Sequence, residues 1–324
     1  MHTNQITSTK YPLRLLKMIR SILLICLLLP VLGYSQNTDS STRSKLITTS
    51  PRLGGITITN QVAPITVDGH SFTMQLPTAD IGIPVYKNFS SPHPVYIRAG
   101  IRYQGLLLSN EKNIGSNNFH SVSVPLLFSY SFSRATNISL IGIVSIGSDF
   151  IRSITEEDFL YTAGVRIGFH QNKSFKYGVT VTYVKNYAGQ YVLPLPDVDW
   201  TISKKWNFTA LLPSRASLRY KLSQAQSLGA TLSIGGSMYR LNEEGKEQYL
   251  HLRQSSAGLI YDLKMGKRWK LNLVAGHTFM QRLETFNIDQ KVSFNGFGKL
   301  NDRTSNVSYQ QNSFIFQAGI SYQF

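Results

Sequence analysis

The chain has 324 residues, with 33 Lys and Arg against 17 Asp and Glu, a formal net charge of +16 at pH 7. Its single cysteine excludes an internal disulfide and any cysteine-based metal cluster. A basic balance is what phosphate-binding proteins carry, but here the cations are spread one or two per strand and turn, so no nucleic-acid partner is expected.

The first 35 residues place Lys10, Arg14, Lys17 and Arg20 before an apolar run from Ile22 to Leu29, then Pro30, Gly33 and Ser35. That order is the charged, apolar and small-residue order of a secretory signal, and the run is far shorter than the roughly 20 residues a membrane-spanning helix needs. Residues 1–35 are therefore expected to be a cleaved signal peptide, cut between Ser35 and Gln36, with Met18 an alternative start. Cys26 lies inside the run behind Ile25, which is not the small residue a lipoprotein requires. Cleavage removes four cations and no acid, so the mature charge is 29 − 17 = +12. Residues 36–52, rich in Ser and Thr, are expected to lead in from the periplasm, with a barrel over 53–324.

Beyond that point the pattern has period two, the signature of strands. Leu53 to Val62 is a first strand, and His70 to Lys87 a long second one despite Pro77 and Pro84, which strands tolerate at edges and bulges. From Val95 onward the register predicts twelve more. In Ser121 to Phe132, Val122, Val124, Leu126, Phe128, Tyr130 and Phe132 share one face and serines the other. Phe159 to His170 sets Tyr161, Ala163, Val165, Ile167 and Phe169 against Thr162, Gly164, Arg166 and Gly168. Phe175 to Tyr183 repeats the pattern. The last strand, Phe314 to Phe324, sets Phe314, Phe316, Ala318, Ile320, Tyr322 and Phe324 against Gln317, Gly319, Ser321 and Gln323.

The connections alternate in length. Ser133–Thr136, Gln171–Ser174, Ser203–Lys205, Ser223–Gln226 and Lys264–Lys267 are short, while Ser109–Phe119, Ser148–Asp158, Leu241–Gln248 and Leu283–Gln311 are longer. Short turns on one rim and long loops on the other mark bacterial outer-membrane barrels. The expected fold is an all-β, transmembrane, antiparallel up-and-down barrel of about fourteen strands, twelve being the alternative. Both termini then lie in the periplasm. A secreted sandwich or lipocalin-like barrel would show the same alternation. The leader, the loop alternation and aromatics near strand ends (Phe132, Phe159, Phe169, Phe175, Trp206, Trp269, Tyr322, Phe324) favour the membrane.

Several stretches carry a resemblance. Tyr191-Val192-Leu193-Pro194, Trp200, Trp206, Ala210-Leu211-Leu212-Pro213 and Leu218 to Ser223, with Ser71 to Gln75 and Ala79 to Val85, resemble an uncharacterised family of Gram-negative outer-membrane β-barrels of unknown function. The resemblance implies the barrel and the cell outer membrane, and supplies no catalytic or binding residues.

If the apolar row faces lipid, Arg98, Arg102, Arg166, Lys176, Arg215, Arg219, Lys221 and Lys270 line the lumen, with Asp197, Asp199 and Asp262 in the same row. Lumenal cations favour anions; the same charges, paired, could hold a filled lumen together. Ile320, Tyr322 and Phe324 are the expected assembly signal for the barrel-assembly machinery. Candidates for hydrolytic chemistry include His70 beside Ser71, His120 beside Ser121, and His277; none sits in a nucleophile motif, so an enzyme is not expected. The mature histidines have no metal-ligand spacing, and nothing calls for a cofactor. Glu111, Asp149, Glu156, Glu157, Asp158, Glu243, Glu244 and Glu247 fall on the outer rim, where carboxylates either are solvated or hold cations that bridge lipopolysaccharide. The leading expectation is a porin-like channel or solute-uptake barrel with a basic lumen for small anionic solutes, embedded in outer-membrane lipid. A plugged structural or surface-interaction barrel is the alternative, and a lipid-modifying enzyme comes third.

Overall fold

Alternating rows become strands wherever the sequence shows period two. The computed structural model describes residues 54–67, 70–133, 135–242, 247–291 and 303–324; the expected leader and lead-in, and Glu243 and Glu244, lie outside them. In chain order the strands are β1 (Gly55–Val67), β2 (His70–Asn88), β3 (Val95–Ser109), β4 (Asn118–Ser131), β5 (Thr136–Ser148), β6 (Phe159–His170), β7 (Phe175–Asn186) and β8 (Gly189–Thr201). They continue with β9 (Trp206–Leu211), β10 (Arg215–Lys221), β11 (Gln226–Leu241), β12 (Gln248–Met265), β13 (Trp269–Asn287), β14 (Val307–Gln310) and β15 (Phe314–Gln323).

Each strand from β1 to β13 pairs antiparallel with the next. β15 closes the ring, pairing with β13 from Trp269↔Tyr322 to His277↔Phe314 and with β1 from Gly55↔Gln323 to Val62↔Phe316. The wall is a closed fourteen-stranded up-and-down barrel, and β14 is a short extra strand laid on the far end of β13. The loop expected from Leu283 begins five residues later, because β13 runs on to Asn287 to pair with β12.

Apart from the edges above the short β9–β10 hairpin described below, backbone groups in such a ring pair within the wall, the condition for crossing hydrocarbon. The outer row is apolar and accessible, with Val124 47%, Leu126 54%, Val181 51% and Phe316 61% exposed. At the rim where β1 begins and β15 ends, which we call the terminal rim, aromatics gather in contact pairs: Phe175 with Trp200, Trp206 with Tyr220, Trp269 with Tyr322. Towards the opposite, loop rim, Tyr161 and Tyr103 take similar positions on the outer row. These are the girdles of a transmembrane barrel.

Not every loop-rim connection is long. Three of the seven are two or three residues: 68–69, Tyr187–Ala188 and Leu212–Ser214. The last joins β9 and β10, strands of 6 and 7 residues between neighbours of 13 and 16. Above this low hairpin β11 has no β10 to hold it in the wall, and it leans across the barrel. Its free edge meets the end of β5 in a parallel bridge, Arg240↔Ser148, with Asp149 N–H donating to Arg240 O at 3.1 Å. Gly236 allows the close approach to β12 on the way, since a Cβ there would stand 2.3 Å from Leu252 O.

Candidate functional site

The lean of β11 divides the lumen near the loop rim into two compartments above a common polar lower half.

The lower half is built from the inner row nearest the terminal rim, where carboxylates hold the arginines against the wall. Asp80 accepts from Arg98 Nη2 (3.3 Å) and Arg102 Nε (2.8 Å). Asp197 takes Arg166 through two bonds, Nε to Oδ2 at 2.8 Å and Nη2 to Oδ1 at 2.7 Å, while Arg166 Nη1 reaches Asn137 at 3.3 Å. Such two-pronged pairing fixes the guanidinium plane. The arginine lies flat because glycines flank it: a Cβ at Gly178 would come within 2.6 Å of Arg166 Nη2, and one at Gly168 within 2.2 Å of Nη1. Asp262, fully buried, is the third centre and receives Arg219 Nε (2.9 Å), Lys270 Nζ (3.0 Å), Asn272 Nδ2 (2.9 Å) and Ser227 Oγ (3.4 Å). Two cations around one buried carboxylate offset its desolvation and leave the cluster net positive.

Higher on the same strands the inner row turns apolar. On β1 it runs Thr57, Thr59, Gln61, then Ala63, Ile65, Val67; on β3 it runs Arg98, Arg102, Gln104, then Leu106, Leu108. These residues meet the inner face of the leaning sheet, Tyr239, Leu241, Leu250, Leu252 and Leu283, in one cluster with Phe72, Met74 and Phe119. Its members are 0–5% exposed, so this compartment is a packed core. Tyr309 of β14 caps it, edge-on to Phe72 at 5.2 Å, with its hydroxyl donating to Glu111 at 2.8 Å.

The second compartment lies between the inner faces of β6–β8 and the outer face of the leaning strands. The β7–β8 turn folds over it: Tyr187 stacks on Tyr249 at 5.9 Å and donates its hydroxyl to Gly147 O (2.8 Å) and Asp158 O (3.2 Å). Burial in this contact pushes the Tyr187 phenol above its ordinary value. Arg240 fastens the other edge, reaching Asp158 at 3.3 Å, Thr155 at 2.9 Å and Glu157 at 3.2 Å.

Of the remaining cations of the inner row, Lys176 stands in register with Asp199, and Lys221 and Lys264 are half-buried close to the terminal rim. Ile320, Tyr322 and Phe324 all lie on the outer row; Tyr322 packs on Trp269 at 4.8 Å and accepts from Arg268 Nη1 at 2.8 Å. His120 and Ser121 are neighbours in sequence but point to opposite faces. His120 sits outside with Nδ1 2.8 Å from Tyr103 Oη, and Ser121 lies on the inner row. His277, outside, meets Phe314 edge-on. The described loop carboxylates divide: Glu156, Glu157 and Glu247 are exposed, whereas Glu111, Asp149 and Asp158 are buried, Glu111 accepting from Asn113 N–H and Ile114 N–H, Asp149 from Asn242, and Asp158 from Thr155 N–H. The buried three hold loops in shape. Among the described residues no three His, Cys, Asp or Glu side chains gather as a metal site.

Sequence reasoning missed Asp80. Its place in the inner row, two residues after Thr78 and two before Gly82, was the available signal.

A family model described as a domain of unknown function, DUF6268, matches residues 79–323. No curated protein matches the chain. Among solved structures, the KdgM porin is 8% identical, covering 83% of this chain and 99% of its own, at a TM-score of 0.35. The P. putida toluene transporter TodX is 8% identical, with coverage of 83% and 88% and a TM-score of 0.33. The translocator domain of the autotransporter NalP from Neisseria meningitidis is 13% identical, with coverage of 95% and 97% and a TM-score of 0.31. Likeness at this level carries no argument about cargo.

Proposed function

The chain belongs to the DUF6268 family, and from that premise we propose that it is a porin-like barrel of the Gram-negative outer membrane that passes small anionic solutes. One observation carries the anion preference. The inner row of the lower half holds Arg98, Arg102, Arg166, Lys176, Arg219, Lys221, Lys264 and Lys270 against Asp80, Asp197, Asp199 and Asp262, eight cations to four carboxylates. In a low-dielectric wall that excess concentrates anions. The packed core limits passage to the β6–β8 side, so conductance should fall well below that of an open barrel of the same circumference. In planar bilayers under a salt gradient, the purified barrel should give a reversal potential of anion-selective sign. Cation selectivity would sink this reading.

The packed core also supports a second reading, a closed barrel with a structural or surface-binding role. It predicts no conductance at all in the same bilayers, and loss of surface binding or envelope integrity when residues 288–306 are shortened.

A further inference from the structure

Between β8 and β11 the wall is incomplete on the loop side. The β9–β10 hairpin stops where Leu212 N–H donates to Pro196 O (2.8 Å) and Ile234 N–H to Ser214 O (2.7 Å). Above those bonds, residues 189–195 of β8 and 235–239 of β11 pair with no strand on the edges that face each other, among the described residues. At about 3.3 Å per residue, the gap is roughly 17–23 Å tall. It lies within the apolar band, since Val192 at its edge is 51% exposed on the outer row and in register with Tyr183.

An open sheet edge at membrane depth is tolerated only where it is buried in protein or lines a water-filled cavity. This edge is also built to refuse another strand. Pro196 directs its carbonyl towards the gap, alternate residues point the same way, and so Pro194 faces the gap as well. Neither proline has an N–H for an incoming strand to use. The occupant is therefore not a second copy adding its edge.

Behind the gap lies the compartment on the β6–β8 side. Leu193 and Leu195 of β8, Val184 of β7 and Met238 of β11 are half-buried apolar residues turned to this space, unlike the core on the far side of β11–β13. Tyr187 on Tyr249 roofs it, and Arg166 with Asp197 forms its floor above the cation-rich lower lumen.

We propose that the gap is a lateral port and the compartment a binding site for a single-chain anionic amphiphile, whose alkyl tail enters from the bilayer and lies along Leu193 and Leu195 with its head towards the basic lower lumen. The assignment rests on the outer-membrane reading above.

Cys26 is the chain's one cysteine, so single-cysteine variants made in a Cys26→Ser background report position cleanly. In lipid nanodiscs, Leu193→Cys and Leu195→Cys should react with N-dodecylmaleimide delivered from the bilayer at least about tenfold faster than Leu252→Cys in the packed core. Folding of each variant is confirmed by its mobility on unboiled gels, with Ile65→Cys as a second core position. Dodecanoate should slow the reaction at Leu193→Cys and Leu195→Cys saturably, and dodecyltrimethylammonium should need at least about tenfold higher concentration. Equal rates at chamber and core positions, no protection by dodecanoate, or equal protection by the cationic amphiphile would each overturn the proposal. If the parent barrel inserts and these variants still fail, the port alone falls; if the parent never inserts in lipid, the membrane reading falls with it.

Discussion

The two compartments near the loop rim share one sheet and end differently. On the β1–β4 side the inner rows change from polar to Leu, Ile, Phe and Met, and meet the leaning sheet in a core that excludes solvent. On the β6–β8 side the same height carries Thr162, Gly164, Thr180, Thr182, Leu193 and Leu195, and a single turn, Tyr187–Ala188, makes the main contact across. The difference teaches that circumference does not set the bore of this barrel. A wall of fourteen strands surrounds one half closed by a large apolar core and one where Leu193 and Leu195 keep part of their surface accessible, and the partition is made from three of its own strands.

The contrast can be broken in graded steps. The largest effect is expected below both compartments: Asp262→Ala leaves Arg219 and Lys270 buried without their carboxylate and should cost about 3–5 kcal/mol, read as a lower urea midpoint for the refolded barrel. Next, Leu252→Ala should cost about 2–5 kcal/mol in the packed core, whereas Leu195→Ala on the β6–β8 side should cost under about 1 kcal/mol, because its side chain already keeps part of its surface accessible. Equal losses at the two leucines would show that both halves are packed alike. Smaller again, Tyr187→Phe keeps the ring on Tyr249 and loses one hydroxyl donor, for about 1 kcal/mol; hydrogen exchange should rise at the β7–β8 turn and stay unchanged at Leu250. Deleting Phe324, which is 55% exposed on the outer row, should leave the urea midpoint of folded protein within about 0.5 kcal/mol while lowering the yield of inserted barrel in cells. Normal yield would remove the assembly role from the terminal strand.

The outer surface was legible in the sequence because lipid asks one thing of every strand, and period two records it. Strand number, closure and the inward set Arg98, Arg102, Arg166, Arg219 and Lys270 follow from that parity. The division of the lumen was not legible. Its signs were present: Leu106, Leu107 and Leu108 are apolar on both faces of one strand, a mark of burial on both sides. Yet where those faces go depends on β11 leaving the wall, and the Arg240↔Ser148 bridge joins segments 92 residues apart that share no local pattern. The loop acids misled for a similar reason. Glu111 and Asp149 look solvated in a polar run, and only the fold supplies the amides and hydroxyls that use them.

The short β9–β10 hairpin has a consequence for how such a protein can change over generations. Strand number, register, lipid-facing row and lumenal charge are all set elsewhere, so inserting or deleting a few paired residues around Leu212–Ser214 would raise or lower one sill while the remaining strands keep their places. Small in-frame insertions and deletions at this one turn could therefore retune what reaches the interior sideways, and relatives with the same barrel would be expected to differ in length there before they differ anywhere in the wall.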